Sequence, residues 1–150
     1  MTEPMFTYAI DPSTVATGIA LFAQEELIRV TVLEAEGLDY MIEAVRGFFH
    51  GVGPAHAVVE TPISYRGDPR PNDILKVAVV AGACRAHFRT STGVSPSGWN
   101  HGRPKKITQA RISELLSPEQ RDMITAIRAG IRGNAWDAVG IGLHHLGVLK

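Results

Sequence analysis

The chain has 150 residues, 45% of them apolar and 20% charged, with fifteen basic and fifteen acidic side chains. Such a composition fits one soluble domain with its own core, and it excludes a disordered chain or a disulfide scaffold, since Cys84 is the only cysteine. The longest apolar stretch, Val77 to Cys84, is too short to span a bilayer. The opening Met1-Thr2-Glu3-Pro4 has no basic-then-apolar signal pattern, so a cytoplasmic location with no membrane partner is expected.

In chain order, three strand candidates come first: Phe6–Asp11, Thr17–Phe22 and Arg29–Ala35. Their short links, Pro12–Ala16 and Ala23–Ile28, predict antiparallel neighbours. A helix over about Leu38–Phe49 follows, with Tyr40, Met41, Ala44, Val45 and Phe48 on one stripe and Gly51-Val52-Gly53-Pro54 ending it. The strand Ala57–Glu60, reached through that helix, calls for a parallel partner, so the sheet is expected to be mixed. Thr61–Arg70 reads as an exposed loop. The helix from about Asn72 to Phe88 is apolar nearly all round, which suits either a sandwiched core helix or a subunit contact with Val80 facing outward. Val94-Ser95-Pro96 is expected as a short last strand, and Trp99-Asn100-His101-Gly102 as a loop before a basic helix at about Lys105–Leu116. Ser117-Pro118-Glu119-Gln120 has the N-cap serine, first-position proline and glutamine of a fresh helix start. A last helix, about Asn134–Leu146, bears Asp137.

Charge is divided along the chain. Residues 1–75 carry four Lys/Arg and eleven Asp/Glu, and residues 76–150 reverse those numbers. The sharpest basic cluster, Arg103, Lys105, Lys106 and Arg111, fits contacts to a phosphate backbone as well as it fits a solvated helix start.

Three acids stand where acids are uncommon. Asp11 ends the apolar run Tyr8-Ala9-Ile10, Glu60 ends Ala57-Val58-Val59, and Asp137 interrupts Ala135-Trp136-Asp137-Ala138-Val139. Carboxylates in such settings are seldom buried unless paired or bound to metal, and oxygen donors of this kind suit Mg²⁺ or Mn²⁺. Read singly, each has a plainer account: Asp11 starts a turn, Glu60 is a solvated strand end, and Asp137 pairs with Arg132 or His144.

The order of elements, with acids on the first strand, the fourth strand and the last helix, resembles the layout of the ribonuclease H-like nucleases. The run Ala9-Ile10-Asp11-Pro12-Ser13-Thr14-Val15-Ala16-Thr17-Gly18-Ile19-Ala20 resembles the opening motif of the RuvC family of Holliday junction resolvases. Val58-Val59-Glu60 is similar to that family's fourth-strand glutamate, and Asn134-Ala135-Trp136-Asp137-Ala138 to its C-terminal acidic motif. The resemblance implies a single α/β domain over residues 1–150 with a mixed five-stranded sheet, three antiparallel strands followed by parallel ones, flanked by helices.

It also implies a structure-selective endonuclease in which Asp11 bridges two divalent ions, Glu60 holds one and Asp137 the other. Two ions about 4 Å apart can serve the attacking water and the departing oxygen of a phosphodiester. Asn134, three residues before Asp137, shares its helix face and offers a neutral carbonyl ligand where many family members have an acid or histidine. Tyr65 and Arg66, after the strand-four glutamate, stand where the family places an aromatic wedge and are candidate DNA contacts beside the basic cluster. The implied partners are a four-way DNA junction and a second copy of the chain, and the implied setting is a bacterial cytoplasm, with the gene in the host or a phage. His101, His144 and His145 suit metal binding or proton transfer, and His144 and His145 more often cap a helix end.

Rival readings remain at this point. A flap, fork or RNA–DNA hybrid nuclease would use the same acids. A junction-binding module without catalysis would leave them idle. An actin-like or sugar-kinase fold wants glycine after its first aspartate, where Pro12 stands here.

Overall fold

Alternation along the first apolar run builds the centre of the sheet. In the computed structural model, which describes residues 5–64 and 67–150, β1 (Phe6–Asp11) lies between β2 (Ala16–Ala23), its antiparallel neighbour, and β4 (His56–Glu60), its parallel one. The antiparallel β3 (Glu26–Glu34) and the parallel β5 (Thr90–Val94) complete the order β3-β2-β1-β4-β5. The expected mixed five-stranded sheet is therefore the observed one.

Each sheet face covers a separate core, because successive side chains on a strand point to opposite sides. Ile10, Ile19, Ala57 and Val59 pack under α1 (Leu38–Phe49) and α2 (Pro71–Arg85). Ala9, Ala20, Phe22 and Val58 pack under α6 (Arg132–His145), with α3 (Pro96–Asn100), α4 (Lys105–Leu115) and α5 (Pro118–Thr125) around it.

Several expectations need correction. The β2–β3 link is only Gln24 and Glu25, tighter than Ala23–Ile28, because Gln24 takes the left-handed φ of 53° that a two-residue hairpin needs. The last strand is Thr90–Val94 rather than Val94-Ser95-Pro96. Ser95 instead caps α3, its hydroxyl accepting from Gly98 N at 3.0 Å, and Pro96 occupies that helix's first turn. Trp99 consequently sits in a short helix, not a loop. The start of α5 carries both hydrogen bonds of the expected capping box.

Helix α2 stops at Arg85, short of Phe88, and is neither sandwiched nor oriented as supposed. Val80 is fully buried with Ala81 and Cys84, whereas Leu75 is 63% and Val79 48% exposed. Tyr40 on the adjoining α1 is 68% exposed, so these two helices leave an apolar outer face. Among the described residues no helix is long and apolar enough to cross a membrane.

Candidate active site

Strands β1 and β4 run parallel with Ile10 level with Val59, so their C-terminal ends finish side by side. Ligands of open α/β sheets bind at such ends. Period-two alternation puts Asp11 on the same face as Ala9 and Glu60 on the same face as Val58, the face covered by α6. Both carboxylates thus turn toward the helix that carries Asp137.

Gly18 sets how near that helix comes. It pairs with Asp11 across the β1–β2 ladder, and a Cβ on it would lie 2.1 Å from the Asn134 carbonyl oxygen. Only a residue without a side chain admits the helix backbone at this distance. Asn134 Nδ2 then donates to Asp11 Oδ2 at 3.3 Å. Asp137 Oδ2 lies 3.3 Å from Lys105 Nζ, and Glu60 Oε2 accepts from the Trp99 indole N–H at 2.5 Å.

The electrostatics follow from burial. Asp11 is 8% exposed, and desolvation pushes its carboxyl well above the usual range; the charges of Glu60 and Asp137 add to this, while Asn134 and Lys105 oppose it. Burial likewise raises Glu60, against the Trp99 hydrogen bond and with a contribution from Asp137. Asp137 is raised by burial despite Lys105. Burial raises all three acids, and acidic neighbours add to it for Asp11 and Glu60, a cost of ionisation that a bound cation would offset.

Their donor set, anionic oxygen throughout, fits Mg²⁺ or Mn²⁺. Among the described residues no three His, Cys, Asp or Glu side chains close on a common point; Glu60 is hydrogen-bonded to Trp99 and Asp137 to Lys105. Lys105 is a weak competitor, since its side chain is 76% exposed and a solvated ion pair is easily exchanged.

Beside the acids opens a cavity of about 270 Å³, lined among others by Glu60, Trp99, Arg103, Lys105, Thr108 and Asp137. The Thr108 hydroxyl is buried and has no hydrogen-bond partner among the described residues. Of the basic cluster, Arg103 and Lys105 line this cavity, whereas Lys106 and Arg111 lie outside the lining. Tyr65 and Arg66 lie outside the described residues. Asp137 pairs with neither Arg132 nor His144: the Arg132 guanidinium donates to the carbonyls of Ile127 and Thr125. His144 and His145 occupy the last turn of α6, roughly 10 Å along the helix from Asp137, where His144 packs on His101 and His145 on His56.

Sequence reasoning missed the roles of Trp99 and Thr108. The one signal for either was that a tryptophan placed in a core needs a partner for its N–H.

Comparison with solved structures matches this arrangement of strands and helices. The RuvC of Thermus thermophilus in complex with a Holliday junction substrate aligns over 97% of this chain and 98% of its own, with a TM-score of 0.56 and 18% identity. The fold is that of the RuvC-like resolvases. A second Thermus thermophilus RuvC structure covers 94% of this chain and 93% of its own at a TM-score of 0.53 and 18% identity. The yeast mitochondrial Holliday junction resolvase covers 99% of this chain and 83% of its own at a TM-score of 0.57 and 11% identity. No protein-family model and no curated sequence matches the chain. In this RuvC-like fold the ribonuclease H-like sheet is the one expected from the order of elements.

Proposed function

We propose that the protein is a Mg²⁺- or Mn²⁺-dependent endonuclease that resolves four-way DNA junctions by paired nicks. The observation that carries this reading is that Asp11 and Glu60 stand at adjacent strand ends on the face covered by the helix that bears Asp137, each of the three acids held up in pKa by burial. Solved proteins of the same fold are a RuvC bound to a Holliday junction and a mitochondrial Holliday junction resolvase.

In this reading Asp11, Glu60 and Asp137 hold the cations, with the Asn134 amide oxygen as an added donor. When bound, the ions would activate a water and stabilise the departing oxygen of the phosphodiester. The chain's own groups do the rest. Asn134 steadies Asp11 through its N–H, and Arg103 and Lys105 take DNA phosphates into the cavity beside the acids. Lys106 and Arg111 are proposed as further DNA contacts, and Tyr65 and Arg66 are so on sequence grounds alone. Cutting opposed strands needs two sites, and the apolar face of Tyr40, Leu75 and Val79 is the surface on which two copies would meet as a homodimer.

The test offers purified protein with Mg²⁺ or Mn²⁺ a labelled four-way junction beside duplex, flap and RNA–DNA hybrid substrates. Symmetric nicks in the junction are expected. Preferential cutting of flaps or hybrids would keep the nuclease and replace its substrate, and binding without cutting under either metal would leave a junction-binding module.

A further inference from the structure

The carboxylate of Glu60 is held by an uncharged donor. Its only hydrogen-bond partner among the described residues is the indole N–H of Trp99, which reaches Oε2 at 2.5 Å. Lys105 does something different for Asp137, because an ammonium both orients a carboxylate and neutralises it. An indole has a single donor, no acceptor and no charge, so it fixes one oxygen of Glu60 and leaves the negative charge intact for another cation.

Trp99 is itself firmly placed. It is 2% exposed, and it sits in the short helix α3 that Ser95 caps and Pro96 begins. The six-membered ring lies against Gly140 of α6, where an added Cβ would come within 2.5 Å of Trp99 Cζ3. Gly140 follows Asp137 by three residues, so both belong to one face of the helix. One rigid side chain thus touches both the helix bearing Asp137 and the carboxylate of Glu60, beside the cavity that the two acids line. A glutamate on a strand end has three rotatable bonds, and this bridge removes their freedom.

We propose that Trp99 is a positioning residue, setting Glu60 relative to Asp137 so that the two carboxylates take up a divalent cation together. The proposal rests on the metal-dependent reading above. Groups that orient a metal-binding side chain in this way typically account for 10–100-fold in metal affinity.

The test is calorimetric titration of the full chain with Mn²⁺ alone, without DNA. It compares the unaltered protein with Trp99→Phe and with a form carrying 3-benzothienylalanine at position 99, in which sulfur replaces the N–H inside a ring of the same shape. Thermal unfolding in EDTA accompanies each titration. Loss of about 10-fold or more in Mn²⁺ affinity in the benzothienyl form, with an unchanged unfolding midpoint, is the expected result, because packing is retained and only the donor is removed. Trp99→Phe should lose at least as much. Affinity within about twofold of the unaltered protein in the benzothienyl form would overturn the positioning role while leaving the nuclease reading standing. An unaltered protein that neither binds Mn²⁺ nor nicks junctions would overturn both.

Discussion

Gly18→Ala is the smallest change that should separate the acids. The new Cβ would lie 2.1 Å from the Asn134 carbonyl oxygen and 2.6 Å from its carbon, where ordinary contact begins near 3.4 Å. The obstacle is backbone and cannot rotate away, so α6 must retreat from β2 by about 1.3 Å at that turn. Overpacking of this kind costs typically about 1–3 kcal/mol, and a rigid neighbour places it near the upper value. For a chain of this size that corresponds to an unfolding midpoint lowered by roughly 6–12 °C. The retreat also carries Asn134 and Asp137 away from Asp11, and a misplacement of about 1 Å can reduce catalysis on the order of 10²-fold. The assay is junction nicking at saturating Mg²⁺, with thermal unfolding in parallel. Gly133→Ala is the control: it lies on the same helix with open space around its Cβ, and should gain up to about 1 kcal/mol from helix propensity without loss of nicking. An unshifted midpoint and unaltered nicking in Gly18→Ala would refute the view that this glycine sets the spacing of the acids.

Asp11→Asn, Glu60→Gln and Asp137→Asn should each abolish nicking while junction binding persists, and full activity in any one would remove that residue from the site. Because burial and its acidic neighbours raise the Asp11 carboxyl in the fold, the native state holds its proton more tightly than the unfolded chain does. Metal-free protein should therefore lose this contribution as pH rises from about the ordinary value near 3.8 through the raised one, and Asp11→Asn should melt higher than the unaltered protein at pH 7 in EDTA. A lower midpoint would reverse the sign. Neutralising Arg103, Lys105, Lys106 and Arg111 together should flatten the salt dependence of DNA binding, its slope falling by roughly 0.9 for each phosphate no longer neutralised, as read from titrations at several salt concentrations. The unaltered protein is expected to sediment as a dimer and Leu75→Glu or Val79→Glu as a monomer, whereas Val80→Glu, with its buried charge, should fail to fold.

The sheet was legible wherever side-chain periodicity was strong. β1 and α1 have the expected bounds, although the buried stripe of α1 is Met41, Val45 and Phe49, and Tyr40 of the expected stripe is exposed. β5 escaped because it is a polar edge strand, held through its parallel ladder with β4 and the His56 ring between Thr90 and Thr92, and Thr-Ser-Thr-Gly carries no apolar alternation. α2 is apolar on every side, so its sequence holds no phase, and an outward Val80 is as compatible with it as the buried one observed. Asp11 and Glu60 could be placed at strand ends, since period-two geometry fixes which way strand side chains point. What each acid touches was not legible. Trp99 meets Glu60 from 39 positions away and Lys105 meets Asp137 from 32, distances over which only the tertiary fold, not local spacing, chooses partners.

The place of α6 in the chain bears on when such a site exists at all. Asp11 and Glu60 stand on strands made early, but the helix that brings Asp137 is synthesised after all five strands. A growing polypeptide can lay down its whole sheet while the third acid is still untranslated, and the core on that face stays incomplete until α6 docks. Competence arrives as a last act of folding. A ribosome-bound fragment ending before α6 would carry Asp11 and Glu60 without Asp137, so under the proposed reading its cation site would still be incomplete.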